Sequence, residues 1–339
     1  MKKLLTIVIP TYNMEKYLHR CLDSLKIEDS LMGLLEVLVI NDGSKDSSSL
    51  IAHDYEEKYP NTFRVIDKEN GNYGSCINRG IDEASGAFFK ILDADDWYDG
   101  VELSKLLTSM LKHENENIDA FYTNFTYHNF NTNENTDYHF TIIDFDKACR
   151  FDEIDFVNSP DWFMMKMYSI TIRTEILRRI ELRLDTGISY TDNEYMYFPY
   201  SHITNVCFCN FNVYQYFIGR EGQTIGAKIT EKHLNAVLTI ANRTVDDYLR
   251  RINEIGSVNT KRALTRMAVE RCVAYFDQAL SMPKTEMLNS SIKNLYSKVK
   301  MNRCLLTNIR KKSKGFRLWE MTGIYKSSRI FELVRKIVK

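Results

Sequence analysis

Four short apolar runs in the first hundred residues each end in a cluster of polar residues. None of the four alternates strictly between apolar and polar positions, which is typical of strands buried on both faces. The runs are LLTIVIP (4–10), LEVLVIND (35–42), FRVID (63–67) and AFFKILD (87–93). The stretches between them place apolar residues at helical spacing, at about 14–25, 46–58 and 74–84.

Strands that alternate with helices predict an α/β fold with a mostly parallel, Rossmann-like central sheet. Ligands of such sheets bind at the carboxyl ends of the strands. The polar clusters that follow the four runs therefore meet at one edge of the predicted sheet. These clusters are TYN, NDGSKD, DKENGNYG and DADD.

The fourth cluster concentrates three aspartates in four positions, at Asp93, Asp95 and Asp96. Like charges this close repel one another unless a positive group lies between them. A divalent cation shared by the carboxylates and a diphosphate would cancel the repulsion, and oxygen ligands suit Mg²⁺ or Mn²⁺. A solvated helix N-terminus, which also favours acidic residues, is the alternative that the residues alone leave open.

The chain changes character after residue 119. Aromatic-rich segments at 120–130 and 137–143 predict further strands, and from about residue 229 the apolar spacing is helical. We place a domain boundary near 227–232, which predicts an α/β domain over 1–226 and a helical region over 227–339.

Several features favour a cytoplasmic protein. The apolar run that opens the chain is about six residues long and meets Pro10, so it predicts a strand and not a secretory signal. No stretch approaches the roughly 18–20 apolar residues of a membrane span. The seven cysteines and seven histidines show no metal-ligand spacing, since CFC (207–209) is tighter than C-x-x-C.

The formal net charge of zero conceals a basic C-terminal segment. Residues 298–339 hold 13 Lys and Arg against 2 Asp and Glu, whereas residues 1–297 hold 32 against 43. SSRIFELVRKIVK (327–339) has apolar residues at helical spacing beside basic ones, and 310–326 interleaves basic with aromatic residues. This pattern is compatible with an anionic membrane surface. It is also compatible with packing on the protein itself or on a second copy in a homodimer.

Four motifs in order and spacing resemble family-2 glycosyltransferases with the GT-A fold, of the bacterial polysaccharide type. The resemblance is close over about 4–125 and continues within 185–225. It implies transfer of a sugar from a nucleoside diphosphate sugar, with inversion at the anomeric carbon. The motifs are TIVIPTYNMEKYLHRCLDSL, EVLVINDGSKDSS, ENGNYGSCINRGIDEASGAFFKILDADDW and TDNEY.

The resemblance assigns the nucleotide to the first three strand ends. Thr11 and Tyr12 would line the base pocket, and Asp42 would accept from the ring N–H of uracil or thymine. Gly74 would let the backbone pass close to the nucleotide, with Asn78 holding the loop. A turn or helix N-cap at Asp42 and an ordinary helix start at Gly74 remain alternatives.

The resemblance also assigns the diphosphate and the chemistry. Asp93 would meet the ribose, and Asp95 would bind the Mn²⁺ or Mg²⁺ that bridges the diphosphate. Asp192 aligns with the base that takes the acceptor proton, with Glu194 as the second candidate. Arg220 would pair with the donor diphosphate, although a surface loop explains that segment as well.

The expected donor is a UDP-sugar, with thymidine donors next, and the expected acceptor is a saccharide or a lipid-linked saccharide. We expect no nucleic acid partner, and a location in the cytoplasm or peripheral at the inner face of the cell membrane. Two other functions stay open: a non-catalytic nucleotide-sugar-binding or scaffold protein, and a metal-dependent phosphatase. Phosphatases with this motif carry it on the first strand, followed by Thr, whereas here it follows the fourth run.

Overall fold

A computed structural model describes residues 2–141, 143–219 and 230–325. The chain forms two compact units, residues 1–226 and 227–339. The candidate residue Arg220 and the tail from 326 to 339 lie outside the described residues.

The described part of the first unit contains a ten-stranded sheet with the order β3-β2-β1-β4-β9-β6-β10-β5. Two further strands lie beside this path, since β7 pairs with β6 and β8 pairs with β10. The strands are β1 (Leu5–Thr11), β2 (Leu35–Asn41), β3 (Phe63–Asp67), β4 (Phe88–Ile91), β5 (Trp97–Tyr98), β6 (Ala120–Asn129), β7 (Glu134–Tyr138), β8 (Ala148–Arg150), β9 (Ile170–Arg173) and β10 (Asn205–Ile218).

The sheet is parallel where the nucleotide was expected. Strands β3, β2, β1 and β4 pair in parallel, and β10 pairs in parallel with β6. Strand β9 joins the two halves and is antiparallel to both β4 and β6. Because the chain runs from β1 outward to β3 and then returns to β4 on the other side, the topological switch point lies between β1 and β4.

Helices cover this sheet, and α4 comes unusually near to β1. A Cβ on Gly80 of α4 would lie 2.6 Å from Cγ2 of Val8, so glycine is required for this close packing. The helices of the first unit are α1 (Glu15–Asp23), α2 (Asp29–Met32), α3 (Ser48–Lys58), α4 (Asn72–Glu83), α5 (Gly100–Lys112), α6 (Thr174–Arg179) and α7 (Asp192–Tyr197). The predicted mostly parallel α/β sheet is confirmed.

The second unit is helical, as predicted. Each of its five described helices begins with a Ser, Thr or Asn whose side chain accepts an N–H from the third residue of the helix. The helices are α8 (Glu231–Arg251), α9 (Val258–Ala279), α10 (Glu286–Val299), α11 (Arg303–Lys312) and α12 (Lys314–Thr322).

The aromatic residues of the basic segment belong to the core of this unit. Phe316, Trp319 and Tyr325 are buried, and the Phe316 ring lies 4.5 Å from that of Phe276. These rings are therefore not available to a membrane in this structure. Among the described residues, no helix combines the length and apolar character needed to cross a bilayer.

Candidate active site

Asp42, at the end of β2, anchors the loop that precedes α4. The carboxylate is buried and accepts the N–H of Gly71 at 2.9 Å and of Asn72 at 2.8 Å. The ammonium of Lys68 donates to the same carboxylate. These contacts satisfy a buried charge and fix the start of α4 at the edge of the sheet.

An open cavity of about 530 Å³ lies at this edge. Tyr12 is 45% exposed, whereas Thr11 is buried and accepts the Asp42 N–H with its carbonyl. Most of the residues that line the cavity carry polar groups, although much of its accessible wall is apolar, as in many sites for a flat ring with a few polar contacts. The lining residues are Tyr12, Asn41, Gly43, Lys45, Asp67, Lys68, Glu69 and Asn70.

Asp96 is a structural member of the aspartate cluster. It is fully buried, and its carboxylate accepts the Tyr214 hydroxyl and the Phe217 N–H, each at 2.7 Å. Burial raises the pKa of Asp96, and the charges of Asp95 and Asp93 raise it further. The direction of this shift is that expected for three neighbouring carboxylates. Asp96 itself is hydrogen-bonded to two residues of β10.

A cation supplied by the chain itself lies beside the cluster. The guanidinium of Arg20, on α1, donates to the Asp95 carbonyl at 2.7 Å. It stacks 4.1 Å from the Trp97 ring and 4.5 Å from the Phe217 ring. Sequence reasoning missed Arg20, because no motif in α1 distinguishes it from a surface arginine.

The fold brings Asp192 to the same edge as Asp93. The Tyr73 hydroxyl donates to Asp93 Oδ1 at 2.8 Å. Burial raises the pKa of Tyr73, and the charges of Asp93 and Asp192 raise it further. Burial and the same two charges also raise the pKa of Tyr168. Asp192 and Asp93 therefore influence the same two tyrosines, although they are far apart in the chain.

Three predicted site residues hold the segment that leads to Asp192. The Asn78 amide forms two hydrogen bonds with the Leu184 backbone, both 2.8 Å. A Cβ on Gly74 would lie 2.1 Å from the Asp185 carbonyl oxygen, so only glycine fits there. Glu194 is fully buried and accepts the Asp185 N–H at 2.8 Å.

The predicted metal-binding residues have the donor chemistry that such an ion requires. Asp93 and Asp95 offer carboxylate oxygens, the hard ligands that Mg²⁺ and Mn²⁺ prefer. Asp95 is 7% exposed, so part of its surface can be reached from solvent. The cluster therefore fits a hard divalent cation.

A switch point between β1 and β4, a cavity at the ends of β1, β2 and β3, and an acidic cluster after β4 are together characteristic of the GT-A fold of glycosyltransferases. Residues 6–176 match the sequence profile of Glycosyl transferase family 2. The chain belongs to this family, and the resemblance described above is confirmed.

Curated relatives agree at the level of the family. Glycosyltransferase GlyA of Streptococcus pneumoniae serotype 4 is 27% identical over 239 residues, covering 69% of this chain and 33% of that protein. The uncharacterized glycosyltransferase MG025 homolog of Mycoplasma pneumoniae is 37% identical over 99 residues, 29% of this chain and 33% of that protein. The chain thus matches about one third of the length of each of these relatives.

Solved structures show the same fold over nearly the whole chain. S. aureus TarS 1–349 in complex with UDP-GlcNAc has a TM-score of 0.58 at 17% identity, covering 93% of this chain and 92% of that one. The corresponding complex with UDP has a TM-score of 0.55 at 17% identity, with 93% and 91% covered. At this level of identity the similarity establishes the fold alone.

Proposed function

We propose that this protein is an inverting glycosyltransferase that moves a sugar from a UDP-sugar to a hydroxyl of a saccharide or lipid-linked saccharide in cell-envelope polysaccharide biosynthesis. The observation that carries the proposal is the Tyr73 hydroxyl, which contacts Asp93 and is influenced by the charge of Asp192. These contacts support a single site for Asp93, our candidate for donor binding, and Asp192, our candidate base. The TarS complexes with UDP and UDP-GlcNAc support the choice of donor.

The donor would occupy the edge formed by β1, β2 and β4. Tyr12 lines the cavity with Thr11 buried next to it in the chain, and Asp42 would accept from the pyrimidine N–H while it keeps the loop before α4 in place. Asp93 would meet the ribose. Arg220 remains our proposed partner of the diphosphate. Gly74 and Asn78 would act on the nucleotide indirectly, through the helix that they dock.

Asp95, together with Asp93, would hold Mn²⁺ or Mg²⁺. When bound, the cation offsets negative charge on the departing diphosphate. The Arg20 guanidinium would help to hold the Asp95 backbone, because it donates to the Asp95 carbonyl.

Asp192 would act as the general base. The acceptor oxygen attacks the anomeric carbon on the face opposite the diphosphate, the bond from that carbon to the diphosphate oxygen breaks, and the acceptor proton passes to the Asp192 carboxylate. Attack from the opposite face inverts the configuration. Asp192 is partly exposed, whereas Glu194 is buried against the Asp185 N–H, which favours Asp192 for contact with an acceptor.

A panel of nucleotide sugars, scored by thermal shift with Mn²⁺ and then by donor hydrolysis or transfer with and without EDTA, tests the proposal. We expect the largest shift with a UDP-sugar and turnover that EDTA abolishes. Asp95→Ala should lose metal-dependent donor binding. Asp192→Asn should keep donor binding and lose about 10²–10⁴-fold in rate, whereas the exposed Asp54→Asn should match the wild type.

Four other outcomes of these experiments would contradict part of the proposal or favour another function. A best shift with a guanosine donor rejects the base-pocket assignment, and wild-type turnover by Asp192→Asn moves the base elsewhere. Donor binding without any turnover supports a scaffold protein instead. Release of inorganic phosphate from simple phosphate esters supports a phosphatase.

We further propose that residues 1–226 form the catalytic domain and that the protein works in the cytoplasm, at the inner face of the membrane. The basic residues of 326–339 would contact anionic lipid. The aromatic residues upstream of them are buried and so would not take part. Self-association of this tail in a homodimer is the competing arrangement.

A further inference from the structure

A second cluster of ligand-type side chains lies elsewhere in the first unit. His113 follows the end of α5, Asp146 precedes β8, and Cys207 lies near the start of β10. One ligand atom from each of the three lies within 4.8 Å of the other two. Cys207 is ten residues before Phe217 on the same strand, about 30 Å at the rise of a β-strand, so this cluster is separate from the donor site.

One distance in the cluster is compatible with two ligands of a tetrahedral metal site. His113 Nε2 lies 3.0 Å from Asp146 Oδ1, and two ligands at zinc distances stand about 3.3 Å apart across a tetrahedral edge. Cys209 lies two residues after Cys207 on β10, so both side chains are on the same face of the sheet, and both thiols are fully buried. Ser109 connects Cys209 to Asp146, with its hydroxyl 3.5 Å from the sulfur and 3.2 Å from Oδ1.

The surrounding groups are those that support a metal-bound histidine. The other ring nitrogen of His113, Nδ1, is buried without a hydrogen-bond partner among the described residues, and it lies 3.0 Å from Glu116 Oε2. Metal-binding histidines usually direct the second nitrogen to a carboxylate, which fixes the ring and its tautomer. Lys112 pairs with the other oxygen of Asp146, so Oδ1 can serve as a single ligand while Oδ2 keeps its partner.

We propose that His113 Nε2, Asp146 Oδ1, Cys207 Sγ and Cys209 Sγ bind one zinc ion. Two sulfur donors with one nitrogen and one oxygen select a soft divalent cation over Mg²⁺ or Mn²⁺. The thiols become thiolates on binding, and their protons leave to solvent. Because all four ligands come from the protein, the site is structural, and it fastens α5 and the 144–147 segment to β10.

Zinc content and cobalt substitution of the full chain test this site. We expect about one zinc per chain after growth with zinc and a brief chelator wash. We also expect a thiolate-to-metal charge-transfer band when Co²⁺ is added to the apoprotein. Cys207→Ser and His113→Gln should lose both signals, while the exposed Cys304→Ser should keep them.

Two further variants separate the outcomes. Glu116→Gln changes a partly exposed side chain that does not bind the ion, and should weaken zinc binding about 10–100-fold without unfolding. Asp95→Ala should leave the cobalt band unchanged, since a metal ion bound only by oxygen ligands has no thiolate-to-metal charge-transfer band. A wild-type chain without the cobalt band, or zinc affinity unchanged in both Cys207→Ser and Glu116→Gln, would overturn the proposal.

Discussion

Lys90 lies in β4, three residues before Asp93, and its ammonium is fully buried. It donates to the carbonyls of Tyr168 at 2.9 Å and Ile170 at 3.2 Å, next to the start of β9. Burial lowers the pKa of Lys90 from 10.5 to about 7. The folded chain therefore holds fewer protons at Lys90 than the unfolded chain between about pH 7 and 10.5, and the free energy of unfolding rises with pH across that window.

Lys90→Met tests this contribution. The variant removes the titrating group, so its free energy of unfolding should rise less steeply with pH, by up to about 1.4 kcal/mol per pH unit. Urea unfolding at several pH values from about 7 to 9.5 measures the difference. The exposed Lys16→Met should run parallel to the wild type. Parallel curves for Lys90→Met as well would mean that Lys90 titrates as an ordinary lysine.

Gly74→Ala places a methyl group against backbone. The new Cβ would lie 2.1 Å from the Asp185 carbonyl oxygen, which cannot rotate away as a flexible side chain could. We expect a loss of about 1–3 kcal/mol in the free energy of unfolding, measured by urea denaturation. Gly100→Ala is the control, since its nearest neighbours would be at 3.5 Å. Equal stability of the two variants would contradict the packing described for α4.

At the residue scale, the sequence identified the groups that its motifs carry and missed those defined by distant partners. Asp93 and Asp192 were predicted from local patterns. Arg20 and Lys90 were not, because a buried cation has no local signature and depends on carbonyls and rings from other elements. Likewise, no spacing rule joins His113 to Cys207, since separate elements bring them together.

At the scale of elements, α4 and the segment from Leu184 to Glu194 form one supporting assembly. Asn78 and Gly74 of α4 contact the backbone of this segment. Glu194 of α7 accepts the Asp185 N–H within it. Helix α4, which we propose lies beside the nucleotide, thus packs directly on the segment that carries the candidate base. Proper placement of Asp192 depends on α4 as well as on α7.

Asn78→Ala distinguishes a positioning role from a nucleotide contact. The change leaves the Leu184 N–H and carbonyl without their partner, which costs about 1–3 kcal/mol for a buried pair. We expect transfer to fall while the Kd for the donor nucleotide stays unchanged, measured by initial rates and calorimetry. The exposed Asn253→Ala serves as control. A parallel loss of nucleotide affinity would show instead that Asn78 acts at the donor.

Strands β1 to β4 were predictable because buried parallel strands are continuous apolar runs. The later strands were harder to predict from the sequence. Strand β7 (Glu134–Tyr138) begins before the predicted 137–143 segment, since its largely exposed polar residues follow the turn after β6 and pair with that strand. Strands β5 and β9 are two and four residues long and are defined by their partners, so no periodicity could reveal them.

At the scale of the whole molecule, the two units divide the charge of the chain unequally. The described helices α11 and α12 carry many basic residues, yet their apolar faces close the core of the second unit. A truncation at residue 297 would remove Phe316 and Trp319 from that core. A shorter deletion is therefore needed to examine the tail.

A chain ending at residue 325 separates the tail from the core, because it keeps Phe316, Trp319 and Tyr325. We expect the full chain to sediment at low salt with vesicles that contain phosphatidylglycerol and to be released by high salt. Each basic residue near such a surface contributes about 1 kcal/mol. The truncated chain should stay in the supernatant. Equal behaviour of the two chains would show that the tail does not bind the membrane.

The hydrogen bonds of Asp96 also set an order of events during synthesis. As the chain leaves the ribosome, β1 to β4 emerge and can pair with one another long before Tyr214 and Phe217 are made. Until then Asp96 lacks both donors, and burial of its carboxylate is unfavourable. Pairing over such a separation is slow because the intervening chain must first be ordered. The acidic site is thus completed late, and a nascent chain that stops before residue 217 is left with an unfinished, aggregation-prone sheet.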